Sequence, residues 1–207
     1  ITIRSVAAIK KLTPMHAVLN AQELKFINQG SAIDNLKKIN ILSPILALIK
    51  AEFNQRINSE SKKRILQCLN ELEADQLTWK PNPSTNSTAN LILHLCGNMR
   101  QYIIAGLGKQ IDVRERSKEF SNNGPFTHEH LQTLLEQTTQ QATEIVAQLR
   151  DENLYEIFHI QCFDLSGYEV ISHVIEHFSY HTGQIALLCK IIKNKDLEFY
   201  KEMDLEN

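Results

Sequence analysis

The sequence predicts an all-α fold, a four-helix bundle with an extra N-terminal segment and a long loop between its second and third helices. Two observations carry this expectation. Apolar residues recur at three- and four-residue spacing in long blocks, which is the period of a helix face. Only seven glycines and five prolines punctuate the 207 residues, too few for a chain built from short strands and tight turns. Residues 1–38 read as an N-terminal extension and 39–207 as the bundle domain.

The first helix is expected after Pro44, with Leu46, Ile49, Phe53, Ile57, Ile65, Leu69 and Leu72 along one stripe. The run Trp79-Lys80-Pro81-Asn82-Pro83 ends it, because proline lacks the amide proton that a continuing helix needs. The second helix opens in the cap-rich stretch Ser84-Thr85-Asn86-Ser87, buries Leu91, Leu95, Met99 and Tyr102, and stops among Gly106 and Gly108. From Leu107 to Phe126 no period is visible, so a long loop is expected there. The third helix opens near Thr127 and aligns Leu131, Leu134, Leu135, Ala142, Ile145, Val146 and Leu149. Residues 154–163 mix aromatic and β-branched types, which admits a short extended stretch. The fourth helix has the sharpest entry signal, Ser166 with Glu169 three residues later, and should run to about Lys193.

Composition excludes several partners. A formal net charge of −2, from 22 basic and 24 acidic residues, gives no global field for nucleic acid or an anionic membrane. No apolar run approaches the roughly 20 residues that span a bilayer. Cys68, Cys96, Cys162 and Cys189 are far apart and form no C-x-x-C pair, which fits reduced thiols in the cytoplasm. Lys10 and Lys11 follow the short apolar run Val6–Ile9 instead of preceding a long one, so no secretory signal is read there.

On the fourth helix the apolar stripe is set by Val170, Val174, Phe178, Ile185, Leu188 and Ile192, and His181 falls inside it. His177 lies one turn earlier and about 40° round, so both imidazoles can reach one point. That i, i+4 spacing suits metal ligation, since neutral imidazole offers a nitrogen lone pair to zinc, nickel, copper or iron. Two core-facing histidines hydrogen-bonded to their neighbours satisfy the same spacing. His94, at the border of the second helix's stripe beside Asn98, is the candidate third ligand, although by itself it reads first as a half-solvated boundary residue. His173 lies off the stripe and is expected in an outer shell or at the surface. Phe178 follows His177 where a metalloprotease H-E-x-x-H motif would place its glutamate, which disfavours that chemistry.

Two segments together resemble a known family. Asn90-Leu-Ile-Leu-His94-Leu-Cys-Gly-Asn98 and His177-Phe-Ser-Tyr-His181-Thr-Gly-Gln184-Ile185 look like the paired signatures of the DinB-like superfamily, with a Trp79-Lys-Pro81 turn and an arginine-rich segment, Asp112 to Phe120, like those of its YfiT-like branch. The likeness covers roughly residues 44–200. It implies a four-helix bundle, often a homodimer, with one divalent transition metal, zinc or nickel foremost, on His94, His177 and His181.

The resemblance further implies a metal-dependent S-transferase or isomerase that uses a low-molecular-weight thiol, with a small-molecule substrate. A metal-dependent hydrolase and a non-enzymatic metal-binding or stress-interaction bundle are the alternatives. An open three-histidine site lowers the pKa of a coordinated thiol or water toward neutrality. Arg114, Arg116 and Glu119 are the catalytic candidates. In the transferase reading either arginine pairs with carboxylates of the thiol or substrate, while an ion pair with Asp112 or Glu119 is the competing role. Asn98 and Gln184 are expected to orient ligands from a second layer.

Overall fold

The computed structural model describes residues 42–121, 124–204 and 206. The expected extension, residues 1–38, lies outside the described residues. The bundle lies in the compact unit Ile49–Asn207. Helix α1 (Leu42–Asn54) runs into a π-helical stretch, π1 (Gln55–Lys62), and then α2 (Lys63–Glu71). The second rod is α3 (Thr88–Met99) continued by π2 (Arg100–Leu107). A short α4 (Arg116–Ser121), α5 (His128–Gln148), the strands β1 (Ile157–Ile160) and β2 (Phe163–Ser166), and α6 (Gly167–Lys193) complete the order. The π1–α2 rod packs on α5 and α6, and the α3–π2 rod packs on the same two helices, so the four rods close a ring around the core.

The π-helical stretches explain how rods this long keep one side inward. Phe53, Ile57, Ser61, Ile65 and Leu69 are all buried at strict four-residue spacing, as are Leu91, Leu95, Met99, Ile103 and Leu107. In a pure α-helix each four-residue step rotates the row by about 40°, which would carry it out of the core within a few steps. The wider i→i+5 turns of π1 and π2 rotate less per residue and bring each row back.

Caps fix where the helices begin. Ser87 and Asn90 form a reciprocal capping box at α3, Thr127 accepts from His130 N–H at α5, and Ser166 and Glu169 form a second box at α6. At its far end α6 stops on Asn194, whose φ of 49° is left-handed. The first rod ends earlier than the sequence suggests, at Glu71, with Leu72 extended and a single 3₁₀ turn, Asp75–Thr78, before Trp79.

The stretch expected to be one long loop contains α4, packed against α3. Its six residues are too few to show a helical period, which is why the sequence reads as featureless. Residues 157–166 form a hairpin with Ile157 opposite Ser166 and Ile160 opposite Phe163, turning through Gln161 at φ 58°. Ile160 packs over Gly106 of π2, where a Cβ would collide with it. Cys68, Cys96 and Cys189 are buried free thiols, and Cys162 is exposed on the hairpin turn. Among the described residues no helix is long and apolar enough to cross a membrane.

Core and cap contribute on different scales. Phe178 of α6 is fully buried, so Phe178→Ala should cost about 3–5 kcal/mol in urea unfolding. Ser166→Ala should cost about 1 kcal/mol. Equal losses for the two variants would contradict this packing.

Candidate metal centre

α3 and α6 pack side by side, and their facing borders carry the histidines. His94 of α3 is 6% exposed, whereas His177 and His181 of α6 are half-buried. The His94 and His177 Nε2 atoms lie 3.0 Å apart. Ring centroids are 4.9 Å apart for His94 and His177, 5.0 Å for His94 and His181, and 4.5 Å for His177 and His181, all edge-on. One ligand nitrogen from each of the three falls within 4.8 Å of the others, a set that could hold a metal ion. The i, i+4 spacing in α6 therefore does bring both imidazoles to one point, and α3 supplies the third.

On His94 and His181 the second ring nitrogen has a partner. His94 Nδ1 lies 2.8 Å from Glu119 Oε2, and His181 Nδ1 lies 2.7 Å from Gln184 Oε1. Gln184 thus touches a candidate ligand, as its spacing of three residues from His181 suggests. Asn98 does not: its Nδ2 lies 3.2 Å from His173 Nε2, and its buried Oδ1 has no partner among the described residues. His173 stacks between Tyr102 and His177, at centroid distances of 4.3 and 5.4 Å, so it belongs to the layer around the three and not to the open surface.

The arginine-rich segment lies on the other side of His94. Arg114 donates from Nε to Glu119 Oε1 at 2.7 Å and from Nη2 to Oε2 at 3.0 Å, and its Nη1 donates to Gln101 Oε1 at 2.9 Å. Asp112 accepts from the Arg114 backbone N–H and from Gln101. Arg116 lies over the Phe120 ring at 5.2 Å, and that ring tilts against His94 at 4.8 Å. Of the ion-pair partners weighed for Arg114, the side chain takes Glu119.

Electrostatics keep the site in the state a ligand set needs. Burial, followed by the neighbouring imidazoles and Arg114, pushes His177 down from its ordinary value to about 3. Burial also lowers His181, against the opposing hydrogen bond to Gln184, and lowers His173. Burial alone would raise the Glu119 carboxyl, but hydrogen bonds from His94 and Arg114, with the charge of Arg114, hold it below the usual carboxylate range. His173, His177 and His181 are thereby held toward the neutral form, and the Glu119 carboxyl toward the ionised one.

A cavity of about 820 Å³ reaches His177 and His173 and is lined also by Tyr180, Arg56, Arg64 and Phe199. Arg56 pairs with Glu52 and Glu60. Arg64 donates to Tyr200 Oη at 2.8 Å and has no carboxylate partner among the described residues. The sequence offered no signal for Arg64, because the cavity forms between elements more than 100 residues apart. Glu119, already a candidate from the sequence, has a second sign in Gly97, a mid-helix glycine whose absent Cβ leaves room for its carboxylate.

Comparison with known proteins follows the same lines. The chain is similar in fold to a DinB-like protein of Bacillus subtilis, YjoA, at 18% identity, covering 74% of this chain and 96% of that one with a TM-score of 0.55. It is similar also to a DinB-like protein of Bacillus cereus ATCC 10987, at 15% identity, 65% and 87% coverage and a TM-score of 0.53. No curated protein matches the chain. A family model described as a protein of unknown function, DUF1572, matches residues 47–201. The chain therefore belongs to the DUF1572 family, and its fold is that of the DinB-like proteins.

Proposed function

We propose that this protein holds one divalent transition metal, zinc or nickel, on His94, His177 and His181, and uses it to transfer a low-molecular-weight thiol to a small-molecule electrophile. The observation that carries the metal is the convergence of three imidazole nitrogens and no carboxylate. Two nitrogens bound to one ion at about 2.0–2.1 Å stand roughly 3.0–3.4 Å apart, and the His94 and His177 Nε2 atoms, at 3.0 Å, match that separation. The donor set suits a borderline-soft ion, and three protein ligands leave coordination positions open. A divalent ion there supplies the Lewis acidity that keeps a thiol deprotonated near neutral pH.

The chain's own residues favour thiol transfer over hydrolysis. Hydrolysis needs a general base beside the open positions. Glu119, the carboxylate in contact with His94, is committed to Arg114 and to His94 Nδ1, and Glu176 is exposed. A thiol deprotonated by the metal needs no such base. Because Arg114 is occupied by Glu119, Arg64 is the cation that the cavity offers to a carboxylate of the thiol or substrate.

The decisive assay reconstitutes the protein with zinc or nickel and measures conjugation of low-molecular-weight thiols, bacillithiol among them, to a chromogenic aryl halide. Wild type should carry about one metal per chain, and His181→Ala should lose both metal and turnover. Arg64→Ala should keep the metal and raise KM for a carboxylate-bearing thiol several-fold. Equal metal content in wild type and His181→Ala would refute the ligand assignment; ester or amide hydrolysis without thiol conjugation would replace transferase by hydrolase.

The depressed His177 value also sets a pH dependence for the metal-free protein. Folded His177 stays neutral down to about pH 3, whereas the unfolded chain protonates it near its ordinary value of 6.5. Between these values the unfolded state binds more protons, so stability is complete above pH 6.5 and falls as the pH drops toward 3. Melting temperatures measured in chelator should decline across that window, and less steeply in His177→Gln. An identical slope in both proteins would contradict a buried neutral His177.

A further inference from the structure

We propose that Glu119, clamped by Arg114, is a positioning residue that fixes the proton of His94 on Nδ1 and so turns the Nε2 lone pair toward His177 and His181. This rests on the metal reading only for its consequence; the proton placement stands on geometry alone. Glu119 and Arg114 are both buried, their side chains 9% and 3% exposed, so water does not dilute the contact. An ionised carboxylate only accepts hydrogen bonds, and Oε2 lies 2.8 Å from His94 Nδ1, so Nδ1 must donate. Arg114 Nη2 also lies 3.2 Å from Nδ1 and, as a donor, would ask Nδ1 to accept, but that would set the Nδ1 lone pair against a carboxylate oxygen at 2.8 Å; the shorter contact gives Nδ1 the proton, and Nη2 donates to Glu119 Oε2 at 3.0 Å. In the neutral ring the lone pair is then on Nε2.

The chain has built this contact from both sides. Asn90, one turn before His94 on α3, donates from Nδ2 to the Glu119 carbonyl oxygen at 2.9 Å and so holds α4 against α3. Gly97, nearly two turns after Asn90, removes the Cβ that would occupy the carboxylate's position. Arg114 spans both carboxylate oxygens, which leaves the group one orientation. His181 faces the neutral Gln184 Oε1 in the same way, whereas His94 donates to a charged carboxylate, which makes its imidazole the stronger donor to a metal.

Glu119→Gln keeps size and removes one acceptor. Arg114 needs an acceptor at both positions, so the amide nitrogen of the glutamine faces either Arg114 Nε alone or Arg114 Nη2 together with His94 Nδ1. The second arrangement forces Nδ1 to accept and moves the proton to Nε2. Two measurements read this out. Long-range ¹H–¹⁵N correlation spectra of the metal-free protein should show His94 protonated on Nδ1 in wild type, with a shift toward Nε2 in Glu119→Gln. Zinc affinity, measured by competition with a chromophoric chelator, should fall about 10–100-fold in the variant. Wild-type His94 protonated on Nε2 would overturn the assignment, and that measurement requires no variant to fold. So would a Glu119→Gln protein with unchanged tautomer and unchanged zinc affinity. A wild type that takes up no zinc while His94 carries its proton on Nδ1 would overturn the metal reading and leave the role of Glu119 in proton placement supported.

Discussion

One face of α6 must do two things, and the remainder of the site depends on how it does them. A helix advances about 100° per residue, so the border of a buried stripe repeats every fourth residue. Val174, Phe178 and Ile185 anchor the helix in the core with full burial, and His177 and His181 ride on the edge of that same stripe. Burying each large apolar side chain contributes about 1.5–3 kcal/mol, and that packing holds the imidazoles in place when their own contacts would not. The convergence of the imidazoles is therefore a by-product of a well-packed helix, with the histidines set one step from its centre.

Burying polar groups beside that stripe carries a cost that the structure offsets with partners. An isolated carboxylate at the depth of Glu119 would be strongly unfavourable. Arg114, His94 and the room left by Gly97 remove most of that penalty and leave a rigid polar bridge between α4 and α3. His173, Tyr102 and Asn98 extend the ordered layer on the other side, toward the hairpin, where Gln161 bonds both Tyr102 and Gln101. The imidazoles are thus held by a continuous shell, while the cavity on the α6 side stays open to a small molecule.

Much of this was legible in the residues. Ser166 with Glu169, and Thr127 before its apolar run, marked helix starts because capping is a local interaction between residues three apart. His177 and His181 were legible for the same reason: one turn of helix places them together whatever the rest of the chain does. His94 was not, since its approach to α6 is a tertiary contact across 83 residues, and only the motif around it pointed there. The π-helical stretches were not legible in the four-residue rows Phe53–Leu69 and Leu91–Leu107, because over a few steps such rows are equally compatible with an α-helix. α4 and the Arg64 cavity depend on packing between distant segments, and no local pattern encodes either.

The most direct test of the three-histidine centre is X-ray absorption at the zinc edge of reconstituted protein, in wild type and in His94→Ala. Three imidazole nitrogens at about 2.0–2.1 Å, with outer-shell scattering that drops to two imidazoles in the variant, would bear the structure out. A shell of oxygen ligands without imidazole scattering, or a spectrum that His94→Ala leaves unchanged, would contradict it.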